Sequence, residues 1–127
     1  MGERDPHRFF SSPIIGIDAG AVSVSVAAVA PAGRIVDSAY AFHGGRIDQT
    51  LSRLLSERGV SDDSVFAVTT SVPERFHARL RCDGRIALIA AARRFFEDFG
   101  AILTVGGERF GILHFDADGS FRTFRGN

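Results

Sequence analysis

Two short glycine-containing turns hold the residues of this chain that are best suited to chemistry. The first, GIDAG, contains Asp18, and the second, VGGE, contains Gly106 and Gly107; each comes at the end of an apolar stretch. Glycine lets the backbone approach a ligand closely and point successive N–H groups at an anion. Each turn is therefore a candidate phosphate cradle, and two such turns facing each other could hold a nucleotide. Asp18 could bind a hydrated magnesium ion, which favours one or two carboxylates and keeps several of its waters.

The alternative is that both turns only connect the strands of β-hairpins, because Asp-Ala-Gly and Gly-Gly are common in hairpin turns. Neither motif opens a helix, so neither is the lysine loop of the P-loop enzymes or the dinucleotide fingerprint. The chain contains no lysine, and all 15 of its basic side chains are arginines. The usual mobile cation for a nucleotide phosphate is therefore missing.

Composition limits the classes of function that the chain can have. Its 127 residues are 45% hydrophobic and 24% charged, as in a soluble globular domain, and its formal net charge is zero. The charge balance predicts neither a nucleic-acid partner nor a membrane surface. The lone Cys82 excludes an internal disulfide and favours the reducing cytoplasm. The four histidines lack the spacing of metal ligands.

The elements that must position the two turns follow from hydrophobic periodicity. Period-two and β-branched patterns predict strands, and apolar residues at helical spacing predict two helices. Residues 18–21 are predicted to form a tight turn between the first two strands. The predicted strands are 14–17, 22–26, 34–42, 64–70, 101–105, 109–115 and 120–124. The predicted helices are 47–58, closed by Gly59, and 84–99, closed by Gly100.

This order predicts an α/β fold with a mixed sheet. A three-strand meander comes first, a helix covers the sheet, and the strand at 64–70 joins the sheet parallel to its neighbour. Residues 1–13 are predicted to be a flexible leader and 14–100 a first lobe. Residues 101–127 are predicted to be the opening strands of a second, truncated lobe.

Two stretches resemble a known superfamily. GIDAGAVSVSVAAVAPAGRI resembles the first phosphate loop of the actin, hexokinase and heat-shock chaperone ATPases. AILTVGGERFGILHFDADGSFRTFRGN resembles the second phosphate loop and its following strands. The closer resemblance, over residues 14–127, is to the BadF/BadG/BcrA/BcrD type of activator, the CoA-substrate-specific enzyme activases of 2-hydroxyacyl-CoA dehydratases and benzoyl-CoA reductases.

The resemblance implies RNase H-like lobes with ATP or ADP and magnesium held between them. In that family ATP hydrolysis drives an electron from an iron–sulfur cluster, shared by two subunits, into the dehydratase or reductase. The implied partners are a nucleotide, such a CoA-ester enzyme component and a second copy in a homodimer. The cysteine ligands of the cluster are absent from this chain, which has one cysteine.

Carried over residue by residue, the resemblance implies a magnesium ligand at Asp18 and nucleotide contacts in both turns; no catalytic residue is assigned. The implied nucleotide-binding residues are Gly16, Asp18, Gly20, Ala21, Ser23, Gly106, Gly107 and Glu108.

Departures from the family pattern predict weak hydrolysis or none. Ala21 and Val22 lie where the family is rich in hydroxyl groups, and Thr104 and Arg109 stand at positions that are usually acidic. Phosphoryl transfer depends almost wholly on positioning and electrostatics, so these losses slow it. Two alternatives stay open: a degenerate, non-catalytic module of the same fold used for partner contact, and a small-molecule kinase-like lobe.

Overall fold

A computed structural model describes residues 13–61 and 63–127. The predicted leader at 1–13 lies, except for Pro13, outside the described residues. The described part holds eight strands and two helices. The strands are β1 (Ile14–Ala19), β2 (Ser23–Val29), β3 (Ile35–Phe42), β4 (Val65–Thr69), β5 (Leu80–Cys82), β6 (Ala101–Val105), β7 (Phe110–Phe115) and β8 (Phe121–Gly126), and the helices are α1 (Ile47–Glu57) and α2 (Gly84–Phe95).

The first five strands form one mixed sheet in the order β3-β2-β1-β4-β5. β1, β2 and β3 form an antiparallel meander, β4 lies parallel to β1, and β5 lies parallel to β4. The predicted α/β class, the meander and the parallel strand after the helical crossover are confirmed.

One face of this sheet carries the core, because apolar residues alternate along the strands and α1 covers them. Ile15, Ile17 and Ala19 of β1 are buried, as are Leu51 and Leu54 of α1. Since side chains alternate across a strand, Asp18 lies on the opposite face from Ile17 and Ala19 and is exposed. The core therefore fixes β1 while leaving this carboxylate open to solvent.

The chain divides into two compact units, one ending at Gly84 and the other running from Arg85 to Asn127. The second unit contains the antiparallel sheet β6-β7-β8. Leu113 and Phe115 are its buried side chains, and Phe115 makes edge-to-face contacts with Phe99 and Phe121. The lobe division after residue 100 stays a prediction.

The structure differs from the predicted elements at the end of β1, at the missed strand β5 and at the end of α2. Residues 18–21 are not one turn: β1 continues through Asp18 and Ala19, which pair with Ser25 and Val24. Strand β5 was not predicted, because three residues are too few for a periodic pattern. Helix α2 ends at Phe95 and not at residue 99. Neither helix in the described residues is long and apolar enough to span a membrane.

Candidate functional site

The turn between β1 and β2 leaves two backbone donors unused. It is closed by a hydrogen bond of 2.8 Å from the Gly20 N–H to the Ser23 carbonyl. Within the part of the chain that the structure describes, the N–H groups of Ala21 and Val22 have no acceptor. Both residues are exposed. Two adjacent amides of this kind can bind an anion.

Asp18 lies two residues before this turn, and two hydroxyl groups contact one of its carboxylate oxygens. Thr69 Oγ1 donates to Asp18 Oδ1 at 2.6 Å, and Ser71 Oγ is 3.3 Å from the same oxygen. Thr69 Oγ1 and Ser71 Oγ are 2.8 Å apart. Either hydroxyl group can be the donor of the Thr69–Ser71 bond, and Ser71 Oγ also lies within donating distance of Asp18 Oδ1.

The second carboxylate oxygen of Asp18, Oδ2, makes no hydrogen bond or ion pair with any described residue. The two hydroxyl groups therefore leave Oδ2 as the oxygen available to a cation. A hydrated magnesium ion suits such an exposed, unpaired carboxylate. The residues present thus fit a magnesium ion bound by one carboxylate and water.

Strand topology explains why Asp18 and Thr69 meet although they are far apart in sequence. β1 and β4 are parallel, with Ile17 paired to Val68, so their carboxyl ends reach the same edge of the sheet. Ligands of open α/β sheets bind outside this edge. Sequence patterns did not identify Thr69 or Ser71 as site residues, since their contact with Asp18 arises from pairing between distant strands.

The turn between β6 and β7 repeats the hydrogen bonding of the first. The Gly106 N–H donates to the Arg109 carbonyl at 2.7 Å, and the N–H groups of Gly107 and Glu108 have no acceptor among the described residues. Asn127 supports this turn, because its side chain donates to the Glu108 carbonyl at 3.3 Å and accepts from the Phe110 N–H at 2.9 Å. The second turn is therefore also able to present two amides to an anion.

The remaining predicted site residues lie in the sheet and not in the open part of a turn. Gly16 is inside β1 and pairs with Ala27 on one side and Ala67 on the other. Ser23 begins β2, and its carbonyl closes the first turn. No group of three or more His, Cys, Asp or Glu side chains suited to a metal occurs in the described ranges.

His43 contacts the first turn and was also not predicted as a site residue. Its Nε2 is 3.0 Å from the Gly20 carbonyl oxygen, and its backbone N–H donates to the Val22 carbonyl at 3.0 Å. The sequence gives one signal for this contact, the His-Gly-Gly run after β3.

No protein-family model and no curated protein matches the chain. Solved structures do match its fold. The activator of the 2-hydroxyisocaproyl-CoA dehydratase from Clostridium difficile, solved with ADPNP bound, has a TM-score of 0.74 and 18% identity, over 91% of this chain and 45% of that chain. Component A of the (R)-2-hydroxyglutaryl-CoA dehydratase from Acidaminococcus fermentans has a TM-score of 0.74 and 16% identity, over 92% of this chain and 48% of that chain.

A third similar structure is the ethanolamine utilization protein EutJ from Carboxydothermus hydrogenoformans, with a TM-score of 0.60 and 16% identity, over 89% of this chain and 50% of that chain. The chain thus spans about half the length of these proteins. At these identities the likeness establishes the fold alone, which the described part of this chain shares with about half of each of these proteins. The predicted resemblance to the dehydratase activators is confirmed at the level of the fold.

Proposed function

We propose that this chain binds ATP or ADP together with magnesium, with phosphate at the turn after β1 and magnesium beside Asp18. The observation that carries the proposal is that β1 places Asp18, with one carboxylate oxygen unpaired among the described residues, two residues before a turn with two unused backbone amides. Backbone amides bind phosphate whatever the side chains are, and the carboxylate holds the ion that the phosphates share.

The proposal also assigns a role to each of the other predicted nucleotide-binding residues. Ala21 supplies an N–H to phosphate, while Gly16, Gly20 and Ser23 shape the strand and turn that support it. In the second unit, taken by itself, Gly106, Gly107 and Glu108 are proposed as a further phosphate-binding turn, with the amides of Gly107 and Glu108 as donors. When magnesium is bound, it neutralises phosphate charge beside Asp18.

In its biological role, the chain is proposed to be the ATP-binding part of an activase-type ATPase. The fold shared with the activator of one CoA-ester dehydratase and with component A of another supports this role. The proposed partners are a CoA-ester dehydratase or reductase component and a second copy in a homodimer, and the proposed location is the cytoplasm. Hydrolysis by the chain is proposed to be weak or absent, because the described hydrogen-bond partners of Asp18 are the hydroxyl groups of Thr69 and Ser71 and not groups that could activate water.

Isothermal titration with Mg·ATP tests the proposal. We expect binding by the wild-type chain and about tenfold weaker binding by Asp18→Asn, the factor that about 1.4 kcal/mol represents. In EDTA, Asp18→Asn should no longer weaken ATP binding, because the carboxylate attracts the nucleotide only through the metal. Asp98→Asn removes an exposed carboxylate in the second unit and serves as the matched control.

Absence of heat and of any thermal shift at millimolar Mg·ATP would overturn the proposal. An Asp18→Asn effect that persists in EDTA would show that Asp18 does not act through magnesium.

A non-catalytic module of the same fold is the second candidate. The observation that favours it is Thr104, which stands where the family carries an acidic residue and donates its hydroxyl hydrogen to the Gly111 carbonyl at 3.2 Å. That hydroxyl group therefore bonds β6 to β7, and its hydrogen is not available to a ligand. Steady phosphate release that Asp18→Asn abolishes would exclude this candidate.

A further inference from the structure

The hydrogen bonds of His43 select one tautomer of its neutral ring. The ring is buried, with the residue 9% exposed, and both ring nitrogens make hydrogen bonds. The Gly45 N–H donates to Nδ1 at 2.9 Å, so Nδ1 carries a lone pair and no hydrogen. In a neutral imidazole the other nitrogen then carries the hydrogen, and Nε2–H donates to the Gly20 carbonyl at 3.0 Å.

This hydrogen bond sets the direction of the neighbouring amide. The Gly20 carbonyl and the Ala21 N–H belong to one planar, trans peptide unit, in which the two groups point in opposite directions. By holding the carbonyl toward its ring, His43 turns the Ala21 N–H away from the ring. The backbone N–H of His43 holds the Val22 carbonyl in the same way, and so fixes the other end of the turn.

Gly44 and Gly45 allow the backbone to turn so that the Gly45 N–H reaches His43 Nδ1. Gly44 has φ of 53° and Gly45 has φ of 82°, values that residues with a side chain rarely adopt. This backbone path returns the Gly45 N–H to the ring that precedes it by two residues. The path leads directly to Arg46 and α1, so His43 links the first turn to the start of the helix.

We propose that His43 is a positioning residue of the nucleotide site, and that its Nε2–H orients the Gly20–Ala21 peptide so that the Ala21 N–H is ready for phosphate. The inference rests on the proposed function for the identity of the ligand. The residue does not touch the nucleotide. The Gly20–Ala21 peptide could also be turned the other way, with the Gly20 carbonyl oxygen facing the anion. The hydrogen bond from His43 prevents that orientation.

Two substitutions separate the two hydrogen bonds of the ring. In His43→Asn, the amide oxygen can take the place of Nδ1 and keep the Gly45 contact, but no group reaches Gly20. In His43→Gln, the longer side chain can place an N–H near the position of Nε2 and keep the Gly20 contact. Thr50→Val is the matched control, since it removes another hydrogen bond of a buried side chain, to the Arg46 carbonyl at 2.8 Å, without touching the turn.

The first measurement needs no nucleotide. Long-range 1H–15N spectra of the free protein should show hydrogen on Nε2 and none on Nδ1 of His43. The Ala21 amide should change its 1H and 15N chemical shifts in His43→Asn, while His43→Gln should stay close to wild type. A hydrogen on Nδ1, or an Ala21 amide that is the same in His43→Asn as in wild type, would overturn the inference.

The second measurement is titration with Mg·ATP. We expect about fivefold weaker binding by His43→Asn, the factor that one typical hydrogen bond carries, and recovery of most of that loss in His43→Gln. Thr50→Val should bind like wild type after correction for its stability. Equal losses of affinity in His43→Asn and Thr50→Val would show that His43 has only a structural role and would overturn the inference.

If the wild-type chain binds no Mg·ATP, the proposed function fails and the inferred role in the nucleotide site fails with it. The spectra of the free protein then still decide whether His43 orients the turn.

Discussion

Thr69 Oγ1 donates a hydrogen bond of 2.6 Å to Asp18 Oδ1 across 51 residues of sequence. The donor is buried, with Thr69 7% exposed, whereas the carboxylate it contacts is exposed. A buried hydroxyl group has a fixed direction, so the contact holds the carboxylate in one orientation. That orientation leaves Oδ2 without a partner among the described residues.

Replacing Thr69 by valine removes this contact while keeping the shape of the side chain. We expect Thr69→Val to weaken Mg·ATP binding about tenfold, because a hydrogen bond to a charged group contributes about 1.5–3 kcal/mol and part of it is recovered by water at the exposed carboxylate. Isothermal titration at saturating magnesium measures the change.

Thr70→Val is the control for Thr69→Val. Thr70 is the next residue along the chain and is exposed, and its backbone N–H bonds Cys82 while its hydroxyl group bonds no described residue. Its replacement should leave the affinity unchanged. Equal affinity in the Thr69→Val variant and in wild type would mean that Asp18 needs no orienting hydroxyl group.

Local patterns predicted both helices and every strand except β5, because alternation in β1 and helical spacing in α1 mark the faces that are buried. Asp18 was identified by its type and its neighbouring glycines. Thr69 and His43 were not, because their contacts with Asp18 and Gly20 depend on strand pairing and loop geometry between distant residues. The predicted end of β1, at Ile17, is wrong for a related reason. Gly20 indicates a turn, but pairing with β2 continues the strand through Ala19.

Leu54 tests how much α1 contributes to the first unit. Its side chain is 4% exposed and belongs to the core beneath the helix. We expect Leu54→Ala to lower the free energy of unfolding by about 2–5 kcal/mol, the range for a buried leucine that leaves a cavity. Leu80→Ala, at a site 57% exposed, should change it by about 0.5 kcal/mol or less. Urea unfolding followed by circular dichroism compares the two, and equal losses would contradict the assigned core.

Asp37 and Arg58 give the chain an acid-sensitive contact. Arg58 Nη1 lies 2.6 Å from Asp37 Oδ1, and this hydrogen bond, aided by the positive charge, lowers the pKa of Asp37 below its ordinary value of 3.8. Because the folded-state pKa is the lower one, the stabilisation is present above the ordinary pKa and is lost as the pH falls through the folded-state pKa. The pair is solvent-exposed, so its contribution is small and weakens further in salt.

Arg58→Gln should therefore raise the pKa of Asp37 toward 3.8. Carboxyl chemical shifts followed over a pH titration measure this directly. Arg53→Gln is the control, because Arg53 pairs with Glu57 at 3.5 Å and should leave Asp37 unchanged. A pKa for Asp37 that is the same in wild type and Arg58→Gln would refute the assigned cause.

Gly111 and Phe124 test the packing of the second unit. A methyl group added at Gly111 would lie 2.8 Å from Phe124 Cζ and 3.3 Å from the Arg125 carbonyl oxygen, so the Phe124 ring must move. Overpacking of this kind costs about 1–3 kcal/mol, and we expect Gly111→Ala to lower the free energy of unfolding of the second unit by that amount. Gly100→Ala, where no atom lies within 4 Å, should have little effect.

The Phe124→Ala background separates this clash from a general intolerance of alanine at Gly111. With the ring removed, the two contacts with Phe124 are gone and the next one is the Arg125 carbonyl oxygen at 3.3 Å, so the cost of Gly111→Ala should fall below its value in wild type. Urea unfolding of the two single variants and the double variant gives the coupling energy of the pair. Strictly additive losses would mean that the Phe124 ring does not lie over Gly111, and the register between β7 and β8 would then need to be reassigned.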